Sequence, residues 1–130
     1  MNACSEDIKD MLVADSSLGL TFTENLFIAR MPASPVNCVV IYDAPGYPDA
    51  LGLKDQGYEY PSIQIRVRNR TYLTGMELAQ KIKTSLHGRS AQIWNETLYT
   101  VIHAVGGPAL LNWDENSNSD IVINFNLQRR

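Results

Sequence analysis

Charged side chains are scarce in this sequence. Lys, Arg, Asp and Glu make up 19% of its 130 residues, below the value of about 25% that is usual for soluble domains. Polar surface must then come from Asn, Ser, Thr and Gln, or part of the surface is covered by a partner. The hydrophobic fraction of 45% is ordinary for a globular protein and excludes wholesale disorder. The length predicts one domain, since domains usually contain roughly 100–150 residues.

Cysteine is also rare, and long apolar runs are missing. The chain has only Cys4 and Cys38, whereas small secreted domains usually carry several disulfides. We therefore expect two reduced thiols in an intracellular protein. The N-terminus has acidic residues where a signal peptide would have basic ones. The longest purely apolar run, 38–42, falls far short of the roughly 20 residues that span a bilayer, so we expect no membrane partner.

The sequence contains no motif for catalysis, cofactor binding or zinc binding. It lacks the glycine-rich loops that hold phosphates and the elbow that presents a nucleophilic serine. His87, His103 and the two cysteines do not have the spacing of zinc ligands. Residues 114–120 resemble the start of a calcium loop, but Ser119 and Phe125 stand where an EF-hand needs glycine and glutamate. We expect no cofactor and no metal. A small enzyme remains an alternative, because any two carboxylates can meet in a fold.

Charge is unevenly distributed along the chain. Residues 1–60 carry nine acidic and three basic side chains, whereas residues 61–130 carry five acidic and eight basic ones. The net charge of −3 lacks the strongly basic character of most nucleic-acid-binding domains. The asymmetry is either chance in a small chain or a sign that acidic and basic parts form different surfaces.

Hydrophobic periodicity predicts two helices and five strands. The first helix begins near Ser5, which we expect to cap it. The second covers about 75–87 with Thr74 as its cap, or begins one turn earlier at Thr71. We predict an α+β fold, with a twisted, mainly antiparallel or mixed sheet of four to five strands and both helices packed on it. The strand segments are 25–31, 36–42, 61–70, 98–105 and 120–127.

Residues 44–60 differ in kind from the rest of the chain. They contain glycines, prolines and three tyrosines, and they are longer than an ordinary connection of about 4–6 residues. One interpretation is a surface insertion without a role. The other is a projecting arm that orders against a partner through Tyr47, Tyr58 and Tyr60, because tyrosine is enriched at interfaces.

The strand at 61–70 carries three arginines at alternate positions. Side chains of a strand alternate between its faces, so we expect Arg66, Arg68 and Arg70 to share one face. That face is exposed to solvent, faces a DNA channel, or binds a partner. We favour an adjacent subunit as the source of the compensating carboxylates.

The C-terminal segment 108–130 resembles the closing strand–turn–strand of phage minor capsid proteins of the tail-terminator type. The residues that carry the resemblance are the DEN turn at 114–116, the alternating strand at 121–127 and the basic end at 129–130. Earlier parts of the chain follow the same order of elements: an acidic helix, a Pro-Gly arm, the strand PSIQIRVR and a helix over 72–86.

The resemblance implies a structural virion protein without enzymatic activity. It implies a single domain over 1–130 with an arm at about 44–60, six copies of which form a ring. The ring caps the tail tube and joins it to the neck or head connector, while DNA passes through the lumen without specific binding. The partners implied are further copies, the tail tube protein and a neck or connector protein. The protein would lie in the tail or neck of the virion, and in the host cytoplasm during assembly. A stopper or neck completion protein is the nearest alternative.

Overall fold

The computed structural model describes residues 1–47 and 57–130. Within them the chain forms two α-helices, one short 3-10 helix and seven strands, so the predicted α+β class is confirmed. The helices are α1 (Cys4–Ala14) and α2 (Tyr72–Leu86), and the 3-10 turn is Ser16–Leu18. The strands are β1 (Leu26–Ile28), β2 (Cys38–Tyr47), β3 (Tyr60–Asn69), β4 (Ser90–Trp94), β5 (Thr97–Ala104), β6 (Ala109–Trp113) and β7 (Ser119–Arg129).

The seven strands form one sheet: six follow the order β1-β2-β3-β7-β5-β4, and β6 pairs with β7 outside this order. The pair β1–β2 is parallel and the others are antiparallel. One edge of β7 pairs with β3 from Asn126 to Ser119. Its other edge is shared, with β6 on its first half and β5 on its second. The C-terminal strand therefore joins all parts of the sheet.

Both helices cover one face of this sheet. The predicted inward residues of β3 (Ile63, Ile65 and Val67) are almost fully buried there, as are those of β7. The apolar stripes of α1 and α2 meet them in a single core. Each large side chain in this core contributes about 1.5–3 kcal/mol of burial free energy. The period-two and period-3.6 patterns of the sequence thus determine which faces meet.

The start of α1 differs from the sequence prediction, whereas the start of α2 agrees with one of its two predicted positions. Ser5 does not cap α1 but lies inside it, and its backbone N and Oγ donate to the Asp43 carboxylate of β2 at 2.9 and 2.6 Å. The orphan donors of a helix N-terminus are thus satisfied from another element. The second helix follows Thr71, so the earlier of its two predicted starts is correct and Thr74 is helical.

Hydrophobic periodicity does not predict the short strands β4 and β6, although the strand–turn–strand resemblance of 108–130 implies a strand where β6 lies. The sheet therefore exceeds the expected four to five strands. A two-residue turn joins β4 to β5, with Asn95 and Glu96 both at positive φ (50° and 64°). That geometry belongs to tight hairpins, whose usual sequence signal is Asn-Gly. Here Glu96 stands where glycine is usual, so the sequence does not indicate the turn. All five residues of β6 are exposed, so no buried alternation marks the strand.

The ends of the predicted arm belong to the sheet. Ala44–Tyr47 continue β2, and Tyr60 begins β3 opposite Tyr47. Gly46 permits the close approach of the two strands, because a Cβ there would lie 2.0 Å from the Tyr60 carbonyl oxygen. Residues 48–56, the middle of the arm, lie outside the described part of the chain.

A buried polar network fastens these elements together. The fully buried Asp7 of α1 accepts hydrogen bonds from the Tyr99 hydroxyl and from Asn95 Nδ2. Arg129 Nη1 lies 3.9 Å from Asp7 Oδ2 and donates to the Tyr99 oxygen at 3.2 Å. On its other side Arg129 Nε donates to Glu59 Oε2 at 3.0 Å. One guanidinium thus joins α1, β5 and the base of the arm.

We expect Arg129→Met to lower the free energy of unfolding by about 3–5 kcal/mol, because the Asp7 carboxylate would remain buried without its counterion. The measurement is urea unfolding followed by circular dichroism. Arg30→Met, which removes the same charge from an exposed position, serves as the control and should change the value by about 0.5 kcal/mol or less. Equal losses in the two variants would contradict a role for the buried network.

Candidate interaction surface

The second face of the sheet is not covered by α1 or α2. It carries Arg66 and Arg68 of β3, Tyr42 of β2, and a set of amide and hydroxyl side chains on β3 and β7. One end of this face lies beneath the segment 29–37, and the other end extends to the base of the arm.

Arg68 holds the segment that covers one end of the outer face. Its Nε donates to the Val36 carbonyl at 2.8 Å, and its Nη2 donates to the carbonyls of Pro32 and Pro35. Beside it, Cys38 on β2 is buried and its thiol donates to Met31 Sδ at 3.5 Å. The compensation of Arg68 therefore comes from carbonyls of its own chain, where we had expected carboxylates of a neighbouring subunit.

Arg66 shares the face with Arg68, as predicted, but has different partners. Its Nε donates to Gln64 at 2.9 Å, and its guanidinium carbon lies 5.4 Å from the centre of the Tyr42 ring. Its Nη1 lies 3.9 Å from Asp120 Oδ2. The side chain remains 35% exposed, so it is accessible to a partner.

Asp120 lies on the outer face opposite Arg68. Its side chain is only 15% exposed, and burial raises the pKa of its carboxyl group even though Arg66 and Arg68 lower it. Within residues 1–47 and 57–130, its Oδ1 is a buried oxygen without a hydrogen-bond partner. The effect of burial on the pKa of Asp120 is therefore larger than the opposite effect of the two nearby arginines.

Arg70 does not belong to the strand, because β3 ends at Asn69. Its backbone N donates to Asn37 Oδ1 at 3.0 Å, and it is exposed at a groove lined by the turn residues 116–118. The predicted stripe of three arginines thus reduces to two on one face, with Arg70 at the edge of the sheet.

The three predicted tyrosines are divided between two places. Tyr47 and Tyr60 pair across β2 and β3 and line a shallow groove of about 270 Å³ together with His103. Tyr47 is 66% exposed. Tyr58 lies instead under Arg130, whose guanidinium carbon is 5.2 Å from the ring centre.

Neutral amides occupy the middle of the outer face. Ser62 Oγ donates to Asn126 Oδ1 at 2.6 Å, and Gln64 Nε2 donates to Asn124 Oδ1 at 3.1 Å. The alternation of β7 predicts that its asparagines face outward, and that prediction is confirmed. The cross-strand pairing to β3 depends on register, which the sequence did not reveal.

An exposed apolar patch was missed by the sequence analysis. It is formed on β6 and at the start of α2, by residues Leu73, Leu110, Leu111 and Trp113. The adjacent leucines and the tryptophan in ALLNW are the signal in the sequence that indicates this patch. The patch lies at the edge of the sheet.

The described residues offer no site for metal or thiolate chemistry. Between residues 1 and 47 and from 57 onward, no three metal-ligating side chains cluster. Burial raises the pKa of the Cys4 thiol to about 12, so it is protonated at neutral pH and is not a nucleophile. The same part of the chain contains no helix long and apolar enough to cross a bilayer.

The loop between β6 and β7 is ordered by a side chain that could be mistaken for a calcium ligand. Asp114 accepts hydrogen bonds from the backbone N of Asn116 and Asn118, both at 2.9 Å, and from Asn118 Nδ2 at 3.0 Å. These bonds, those from Asn118 foremost, lower the pKa of Asp114. The Asp114 carboxylate therefore accepts hydrogen bonds from residues of its own turn.

We expect Arg68→Met to lower the free energy of unfolding by about 2 kcal/mol, since hydrogen bonds from a charged donor contribute about 1.5–3 kcal/mol. The matched control Arg70→Met, two positions away and exposed, should change it by about 0.5 kcal/mol or less. Urea unfolding of the purified protein measures both values. A neutral Arg68→Met would show that its carbonyl contacts contribute nothing to folding.

Asp120→Asn should raise the free energy of unfolding at neutral pH, because the fold favours the uncharged form of Asp120. A raised pKa in the folded state means that the wild type loses stability as pH rises from the ordinary value of this group to its folded value. The variant should lack that loss. Urea midpoints measured from about pH 4 to pH 7 test this, and a variant less stable than wild type at pH 7 would show that the arginine contacts dominate.

Comparison with known proteins identifies the family. A family model described as bacteriophage tail terminator protein matches residues 6–130. The fold is similar to that of a chain in the virion of a native gene transfer agent particle, with a TM-score of 0.69 at 15% identity over 98% of this chain and 94% of that chain. A second solved structure has a TM-score of 0.58 at 12% identity over 98% and 96%. No protein with a curated description matches the sequence. The family model covers nearly the whole chain, which therefore belongs to the bacteriophage tail terminator family, a family of structural, non-enzymatic virion proteins.

Proposed function

We propose that this protein forms a homo-hexameric ring that caps the tail tube and joins it to the neck or head connector. The observation that carries the proposal is membership of the tail terminator family over residues 6–130. In this proposal the ring stops polymerisation of the tube, and DNA passes through its lumen without specific binding. A stopper or neck completion protein is the second candidate, because such a ring would present similar surfaces.

The outer face supports a role in assembly. Between the arginines and the arm base it consists of neutral amides and hydroxyls, paired across β3 and β7. Such a face can pack against a protein partner without the desolvation cost of many unpaired charges. We assign the contacts to Arg66, Arg70, Tyr47, Tyr58 and Tyr60. Arg68 was predicted with them, and its role here is to hold the 29–37 segment that shapes the face.

The arm is proposed to bind a neighbouring subunit. Its base is fixed on both sides: Tyr47 pairs with Tyr60, and the backbone of Glu59 exchanges hydrogen bonds with Arg129 at 2.8 and 3.0 Å. A segment held at a rigid base presents its tyrosines to a partner in a defined direction, which reduces the entropy that binding must overcome.

The parent particle provides the test. Deleting the gene should give tails of irregular or excessive length that do not join heads, which electron microscopy of lysates would show. Tails of normal length that remain unjoined would favour the stopper or neck completion alternative. Normal tails on intact particles would refute both.

Complementation of the deletion with point variants then tests the assigned contacts. Tyr47→Ala and Arg70→Glu should each reduce joined particles by about fivefold or more, as expected when an interface residue worth about 1 kcal/mol or more is lost. Lys81→Glu, with the same charge change on the exposed side of α2, is the matched control. Equal yields from all three variants would remove these residues from the interface.

A further inference from the structure

The edge strand β6 and the start of α2 form an apolar patch that nothing in the described chain covers. All five residues of β6 are exposed and none is charged. Leu110, Leu111 and Trp113 are 38%, 47% and 52% exposed, and Leu73 on α2 is 70% exposed. Large apolar side chains exposed together on one part of a monomer often mark a functional surface.

The geometry of β6 places Leu110 and Trp113 on the same face, with Leu111 between them at an irregularity of the strand register. Leu110 and Trp113 are opposite Ile121 and Ser119 of β7, so both point to the helix side of the sheet. The Trp113 ring lies 6.3 Å from the ring of Tyr72, the residue before Leu73. The patch therefore extends from the strand edge onto the first turn of α2.

The backbone edge of β6 is also available. One side of β6 pairs with β7, and its other side has no strand partner in the described part of the chain. Edge strands are usually protected by charged side chains or by prolines, and ALLNW has neither. Strand β4, at the end of the strand order next to β5, has such protection. The guanidinium carbon of Arg89 lies 5.9 Å from the centre of the Trp94 ring on this strand.

The same chain carries a second apolar patch at the opposite edge of the sheet. Val13 of α1 is 43% exposed and Phe22 is 38% exposed, and the ammonium group of Lys9, about one helical turn before Val13, lies 4.7 Å from the centre of the Phe22 ring. The apolar patch therefore has a positive charge at its rim. Phe22 bridges to Leu26 of β1, and β1 is the strand at the far end of the sheet order. A head-to-tail contact that closes into a ring needs two different complementary patches on each subunit, and these two patches satisfy that condition.

We propose that the β6 patch of one subunit packs against the patch formed by Val13 and Phe22 of the next subunit. The β6 patch consists of Leu73, Leu110, Leu111 and Trp113. The inference rests on the proposed ring and assigns its lateral contact. An uncharged patch needs an apolar counterpart, and the partner named here has one at the right place for a head-to-tail arrangement. A stable interface buries roughly 800 Å² per partner, which is more than four side chains supply, so backbone pairing along β6 and the arm would add to it.

Point variants in the complementation system test the assignment. Leu111→Asp and Val13→Asp should each reduce incorporation of the protein into purified tails by about tenfold, because each would bury an unpaired carboxylate. Ile93→Asp, on β4 and 73% exposed in the monomer, is the matched control and should incorporate normally. Circular dichroism should show all three folded, since the side chains are exposed. Incorporation of Leu111→Asp equal to that of Ile93→Asp would overturn the proposal.

Cross-linking identifies the occupant directly. A benzophenone amino acid at position 111, in the full chain assembled on tails, should link to a second copy within residues 9–28. Links to the tail tube protein, or to no protein, would overturn the proposal. If the cross-link to a second copy is absent but the same tails have normal length and join heads, the lateral contact is refuted and the proposed function stands. Normal tails after gene deletion would instead refute the function without bearing on self-association.

Discussion

The rest of this fold depends on one buried positive charge, the guanidinium group of Arg129. Arg129 is 8% exposed, close to the end of the chain, in a place where burial would oppose its charge. Hydrogen bonding and attraction from Tyr99, Cys4 and Glu59 nevertheless raise its pKa. A guanidinium has donors in several directions, and here they reach Asn2, Tyr99 and Glu59. The N-terminus, β5 and the arm base can each be in place only if the C-terminal strand is in place.

This network also explains part of the charge asymmetry of the sequence. The acidic first half and the basic second half suggested two different surfaces. Arg129 from the second half instead lies between Asp7 and Glu59 from the first, inside the protein. Arg66 pairs within the second half, with Asp120. Some of the asymmetry is thus neutralised within the subunit, so the complementary surfaces of the proposed ring would need apolar and amide groups as well.

The sequence predicted the helices and strands that bury one face, and it missed those that are exposed. The alternating strands β3 and β7 and the stripes of both helices were predicted, because burial of one face imposes a period on the residues. The strands β4 and β6 were missed because exposed edges impose none, and because Glu96 disguises a tight turn. The partners of Arg68 could not be foreseen, since they are backbone carbonyls of a loop that only the register of β2 and β3 brings near. The family resemblance, carried by the order of elements, is confirmed by the match over residues 6–130, whereas the interface role of the individual site residues stays a prediction.

The size of the exposed surfaces bears on where the proposed ring would assemble. A lateral patch of four exposed apolar side chains is too small by itself for a stable free interface, which buries roughly 800 Å² per partner. A subunit already bound to the end of a tube meets its neighbour at a high effective concentration, and weak contacts then add together. Under this arrangement the low charged fraction of 19% reduces repulsion between neighbours without giving free subunits enough attraction to aggregate. The ring would therefore form where the tube ends rather than in solution, which restricts the termination of growth to the tip of the tail.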